Sequence, residues 1–402
     1  MAVAISSSVM HGRKPQVDLK AIRAVGGRPG ALHLSPDGSQ LFVFDSSTPR
    51  VTVLGTAGWE VLSTFDLDLP VAADPFLLAG FQDSLYVGGL PGKVAVIDAA
   101  TRKYAGAFPC VGEACEMKIL PQLRQAVIST ATARGGAIEL VSLDPQARMG
   151  RLDLPMPPVR GTLALQASRG YGAVVVRDVE RRDEAIILFE LRPGTEPCAI
   201  RVEGGVRSLA FDVEGRSLYA ACHDDSALTV IDVRDERPVG QVLLAGEPYG
   251  LVADPSGKRI WALCERLGHV AFVDPGNQMV VRRTQLSGLL AGPHHMAFSP
   301  EGRLAIVAES SEGCLALLEA GLPGPTQGDL LDRLELGREV GEVLWCPYGD
   351  EVYVASPEAG AVLKIAVDRG DQEVKDTDVY LMDQLLRKGQ ASSGAKYPLF
   401  PP

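Results

Sequence analysis

Short runs of alternating apolar and polar residues, each bounded by Pro, Gly, Asp or Ser, recur along almost the whole chain, and no helical period competes with them there. The clearest copies read RPGALHLSPDGSQLFVFD from Arg28, EPYGLVADPSGKRIWALCE from Glu247 and GPHHMAFSPEGRLAIVAES from Gly292, a repeat of about 43 residues. Within a copy one strand leads into a tight turn and a second strand. The turn is Ser35-Pro36-Asp37-Gly38, then Asp254-Pro255-Ser256-Gly257, Ser299-Pro300-Glu301-Gly302 and Cys346-Pro347-Tyr348-Gly349, with Asp212-Val213-Glu214-Gly215 a weaker form. Pro presets the first turn dihedral and Gly accepts the positive φ that follows, so each turn forces a hairpin. Leu41-Phe42-Val43, Leu218-Tyr219-Ala220 and Val352-Tyr353-Val354 mark second strands; Val94 to Asp98, Leu228 to Asp232 and Val270 to Asp274 mark third ones. A less regular fourth strand, such as Val239 to Leu244, ends the unit.

Copies begin near Arg28, Asp74, Glu113, Val159, Gly205, Glu247, Gly292 and Glu339. Four short antiparallel strands repeated radially predict an all-β protein, a single closed β-propeller of eight four-stranded blades. The copies from Asp74, Glu113 and Val159 lack the Pro-Asp-Gly turn, so seven blades is the alternative. An open ring would leave unpaired sheet edges. The orphan strand pattern from Val17 to Val25 is therefore expected to complete the last blade. The predicted organisation is a flexible N-terminus over 1–16, the propeller over 17–370, and a C-terminal helix and tail over 371–402. Val379, Met382 and Leu386 share one helical stripe with Gly389 as a stop, and the tail ends in Lys396-Tyr397-Pro398-Leu399-Phe400-Pro401-Pro402. Val379 to Pro402 is the segment expected to meet a protein partner.

A hydrophobic fraction of 46% with 22% charged residues fits a large core. The net charge of −11 and the lack of a Lys/Arg stripe exclude a nucleic-acid-binding surface. No apolar run is long enough to span a bilayer, and MAVAISSSVM lacks the basic start of an export signal. Seven cysteines, odd in number and scattered among apolar strands, predict reduced thiols and a cytoplasmic protein. An exported mature form, with Cys110 and Cys115 paired, is the other possibility.

Aligning the copies on the turn Pro puts Gly30, Phe76, Cys115, Gly161, Arg207, Tyr249, His294 and Gly341 at one rim position of the ring's mouth. Seven residues past the hairpin Gly stand Asp45, Cys222, Cys264, Glu309 and Ser356. These positions change character from copy to copy, unlike the rest of the unit. Copies five to seven are the richest, with Arg207, Cys222, His223, Tyr249, Cys264, Glu265, Arg266, His294 and Glu309, a set suited to anion binding and acid–base work. His294, Glu309 and Arg207 are the candidate catalytic groups; Tyr249, Cys222, His223, Cys264, Glu265, Arg266 and Cys115 are candidate ligand contacts. His294 and His295 point to opposite sides of a strand and so cannot share a metal ion; no metal-ligand spacing is present, and no cofactor is expected. His33 reads as a hydrogen-bonded structural histidine.

The Tyr-Val and Val-Ile-Asp elements resemble those of the YVTN-type bacterial propeller repeats over residues 17 to 368. The segment from Gly292 to Pro300, with Ala308-Glu309 after it, resembles the equivalent part of the propeller lactonases, which use Arg, His and Glu at the channel mouth. Glu309 matches the glutamate that ends their second strand, while His294 stands where Arg is usual. The resemblance implies a lactonase or ring-opening lyase, with His294 as base, Glu309 as acid or orienting group and Arg207 on an anionic substrate. The reading from the residues alone is a binding platform for a small anionic molecule. Eight blades also resemble the modified-haem domain of dissimilatory nitrite reductases. That likeness implies His294 as an axial ligand, with Arg207 and Arg266 on the tetrapyrrole carboxylates.

Overall fold

The computed structural model describes residues 14–67, 76–178, 180–181, 183–192, 194–286, 292–310, 313–321, 324–347 and 349–370. The expected helix from Val379 and the tail lie outside them. Among the described residues every regular element is a strand except one 3-10 turn, Pro121–Leu123, and no helix is long and apolar enough to cross a membrane.

The strands form seven antiparallel sheets, six of four strands and one of seven. The sequence predicts eight separate sheets. The difference lies in Lys103–Leu120, which runs unbroken across the boundary between the second and third repeats. Glu113 within it pairs with Pro91 on one side and with Ala131 on the other. Gly112 bends the strand at φ +71°, where an added Cβ would lie 2.0 Å from the Ala131 carbonyl oxygen, so only glycine lets the strand serve both neighbours.

In the fifth repeat Ser217–Cys222 and Ala227–Asp232 are buried along almost their whole length, while outer Arg237–Leu243 is largely exposed. Middle strands lie between sheets on both faces and so read as continuous apolar runs. Eight hydrophobic clusters join consecutive repeats. The eighth sets Leu41, Val43 and Trp59 of the first repeat against Tyr353 and Val362 of the last.

The N-terminal strand Gln16–Ala24 pairs with Ala361–Asp368, Val17 facing Val367 and Ala24 facing Ala361. At this seam the Trp59 and Tyr353 rings stack at 5.5 Å. Lys364 Nζ donates to the Thr56 carbonyl at 2.8 Å and pairs with Glu351 at 2.8 Å, so the largely buried ammonium has the partners it needs. The innermost strands of neighbouring repeats contact one another from the first to the third and from the fourth to the eighth, as do those of the first and last. The loops leading into these strands and those joining second to third strands therefore gather at one end of the molecule; the Ser-Pro-Asp-Gly hairpins occupy the other.

Where the Pro-Asp-Gly turn is missing, left-handed residues still reverse the chain: Gln82 at φ +52°, Arg124 at +48° and Gly170 at +75°. Where it is present the Asp does more than fit. Asp37 accepts from Ser35 Oγ at 2.6 Å and from the Ser39 amide at 3.0 Å, which ties the hairpin shut.

Candidate functional site

The rim position is set by a local irregularity. Pairing between innermost and second strands slips between Pro29 and Ala31, Val206 and Leu209, Pro248 and Gly250, and Pro293 and His295. The skipped residues include Gly30, Arg207, Tyr249 and His294. A bulge of this kind re-aims a side chain away from the sheet, and it places Tyr249 and His294 in contact across two repeats, ring centroids 4.7 Å apart at 69°.

Around them stands a cluster of acid and base groups from three repeats. His294 Nε2 lies 3.7 Å from Glu265 Oε1, and His223 Nε2 lies 3.8 Å from Glu265 Oε2 and 3.8 Å from Glu247 Oε2. His223 Nδ1 sits 3.1 Å from Asp224 Oδ1. Arg266 Nη1 donates to Glu247 Oε1 at 3.2 Å. The histidine contacts to Glu247 and Glu265 exceed a hydrogen bond but fall within ion-pair reach, a spacing that catalytic groups commonly show before a ligand draws them together. The backbone is tied as well: the Glu265 amide donates to the Glu247 carbonyl at 2.9 Å and the Asp224 amide to Gly204 at 2.9 Å. Of the candidates, His223, Tyr249, Glu265, Arg266 and His294 thus come together. Arg207 is exposed on its bulge.

The ring seven residues past the hairpin lies elsewhere. Asp45, Cys222, Cys264 and Glu309 pair directly with the residue before each bulge, Pro29, Val206, Pro248 and Pro293. All four are buried, Cys222, Cys264 and Glu309 completely. Glu309 is held inside its own sheet with Arg333 Nε at 3.8 Å, so it is no exposed acid at the mouth. Cys222 Sγ is 3.2 Å from Thr229 Oγ1, and burial pushes the Cys264 thiol up to about 12; neither is a ligand contact. Cys115 is buried with its thiol raised by desolvation, beside an Arg160 guanidinium that pairs with Glu113 and lies 4.3 Å over the Phe76 ring. The working residues stand one position later, at His223 and Glu265, because strand alternation turns each neighbour of a buried residue outward. Glu247 escaped notice in the sequence. Its signal is its offset, two before the rim residue, which Arg28 and Glu339 share and where they pair at 3.8 Å.

Desolvation pulls half-buried His33 down to about 4, and does the same to His295, which keeps an exposed surface. His33 packs on Gly80, where an added Cβ would lie 2.0 Å from its ring. Glu342 of the last repeat accepts from the Leu32 amide of the first at 2.8 Å, and burial raises it to about 7.

Of the groups assigned to a tetrapyrrole, His294 Nε2 faces Glu265 and Arg266 pairs with Glu247, while Arg207 is exposed. Among the described residues no group of three or more His, Cys, Asp or Glu converges as metal ligands.

No family model matches the chain. It is similar to a 6-phosphogluconolactonase of Pectobacterium carotovorum, 27% identical over 125 residues, which is 28% of this chain and 36% of that protein. A second 6-phosphogluconolactonase, from Pectobacterium atrosepticum, is 25% identical over 192 residues, 43% of this chain and 57% of its own length. The chain thus spans between a third and three fifths of the curated relatives it matches. In fold it is similar to the Cps50 (Swd1) β-propeller domain of Myceliophteria thermophila, TM-score 0.55, 14% identity, covering 88% of this chain and all of that one. It is also similar to the C-terminal WD40 domain of Sif2, TM-score 0.63, 12% identity, 87% and 99% covered. The computationally designed Ika8 protein gives TM-score 0.65, 13% identity, 88% and 100% covered. The chain is a β-propeller.

Proposed function

We propose that the rim over repeats five to seven is a binding site for a small polar molecule, carried on a closed ring of eight blades of the YVTN type in which the seven-stranded sheet counts as two. Eight interfaces between consecutive repeats support that count. The observation that carries the binding reading is the convergence of His223, Glu265 and His294 from three repeats beside an exposed Tyr249. Imidazoles and carboxylates exchange hydrogen bonds with hydroxyl groups, and a tyrosine ring offers a flat apolar face, so a hydroxyl-rich ligand suits the centre. Exposed Arg207 supplies a cation for an acidic group on the same molecule.

The lactonase relatives favour a second reading at the same site, hydrolysis of a lactone. His294 takes a proton from water, the water oxygen bonds to the lactone carbonyl carbon, and the ring C–O bond breaks as its oxygen takes that proton back from His294, leaving a hydroxy acid. Calorimetric titration and turnover against a panel of sugar lactones and their hydroxy acids test both. Binding that weakens at least about tenfold in His294→Ala and Arg207→Gln supports the site. Binding unaltered in both variants removes it, and binding without turnover in the native protein removes hydrolysis alone.

A further inference from the structure

Glu265 occupies an unusual place in the rim. Its two carboxylate oxygens face different histidines of different repeats, Oε1 toward His294 Nε2 at 3.7 Å and Oε2 toward His223 Nε2 at 3.8 Å. Its backbone follows fully buried Cys264 and is fixed by hydrogen bonds at both the amide and the carbonyl, to Glu247 and from Gly268. The chain leading into the seventh repeat crosses its stem at Gly292, where an added Cβ would stand 2.4 Å from Glu265 Cγ and 3.0 Å from its Cα. Strand end, hairpin and glycine crossing together fix the stem from which the carboxylate extends.

An ionised carboxylate only accepts, so an imidazole turned toward it with Nε2 presents N–H at that atom. Neutral His294 then keeps its lone pair on Nδ1. His223 is different: Asp224 covers Nδ1 at 3.1 Å, and Glu247 and Glu265 cover Nε2. His223 thus has a carboxylate on either side of its ring.

We propose that Glu265 is the positioning residue of the rim site, fixing His294 as the Nε2–H tautomer so that Nδ1 is the proton acceptor, with His223 holding the second oxygen of Glu265 in place. This rests on the rim being the working site, but its test needs no ligand. Nitrogen-15 spectra of histidine-labelled protein are recorded at a pH of about 8.5, above the usual imidazole range, with the His294 signals identified by their loss in His294→Gln. The native protein is expected to give a single Nε2–H pattern for His294, and Glu265→Met to convert it to the mixed pattern of a free imidazole. Removal of His223 in His223→Gln is expected to weaken the single pattern, because Glu265 is then held on one side only. A His294 pattern that is mixed in the native protein, or unchanged in Glu265→Met, overturns the proposal. If Glu265→Met does not fold, Glu265→Ala serves, and an unchanged pattern there overturns it equally. Where turnover is measurable, kcat is expected to fall about 100-fold in Glu265→Met with KM nearly constant. A failed lactone panel with the tautomer shift intact would remove the hydrolytic reading and leave this one standing.

Discussion

Replacing Glu342 by Gln should make the protein more stable in mild alkali and leave it unchanged in acid. Glu342 belongs to the last repeat, yet its Oε2 accepts the Leu32 amide of the first at 2.8 Å, so it spans the seam where the ring ends meet. Burial raises it to about 7 from an ordinary 4.5, against the opposing pull of that amide. A carboxyl raised in the folded state binds its proton more tightly there than in the unfolded chain. Its contribution is complete below pH 4.5 and is lost as pH rises through about 7. At about 1.36 kcal/mol for each pH unit of that interval, the loss is about 3 kcal/mol at pH 8. Gln keeps the acceptor for Leu32 and carries no charge to bury. The native profile alone would mislead, because His33 and His295, lowered to about 4, act in the opposite sense: their contribution is present above pH 6.5 and disappears as pH falls through about 4. The difference between native and Glu342→Gln proteins in urea denaturation at pH 5 and pH 8 cancels the histidines. A gain for the variant at pH 8 that vanishes toward pH 4.5 is expected. An equal difference at both pH values, or a variant weaker at pH 8, refutes the reasoning.

Four more outcomes are expected. Removing residues 14–24 strips the partner from Ala361–Asp368, and size-exclusion chromatography should find self-association through the bared edge. Trp261→Ala empties a site where the indole packs 4.5 Å from Phe272 and 5.1 Å from Phe298; denaturant titration should register a loss of about 3–5 kcal/mol. Gly292→Ala must displace Glu265, so it should reproduce the mixed His294 pattern of Glu265→Met while thermal melting changes little. In native protein Cys198, the cysteine that is not buried, should react first with a thiol reagent, and buried Cys222 and Cys264 only on unfolding.

The repeat was legible because its signals are local. Pro, Asp and Gly set a hairpin through bonds within a few residues, as Asp37 does with Ser35 and Ser39. The rim position was legible too, since the bulge recurs at one offset in the first, fifth, sixth and seventh repeats. The ring behind it misled, because polarity suggested exposure where pairing decides it. Glu309 stands opposite Pro293 and is turned into the space between sheets, and its cationic neighbour Arg333 comes from the outermost strand of the same repeat. The unbroken strand through Glu113 was hidden for a related reason: a boundary between repeats reads like a loop unless both flanking pairings are known.

Ring closure by Gln16–Ala24 has a consequence for synthesis. The strand Gln16–Ala24 is made before all the repeats and finds its hydrogen-bonding neighbour only in Ala361–Asp368, Gln16 opposite Asp368. Nascent chain can stack its sheets one after another, but the two ends stay unpaired until Ala361–Asp368 has been made. A slow final docking step, sensitive to chaperones that shield the waiting edge, follows from that order of events.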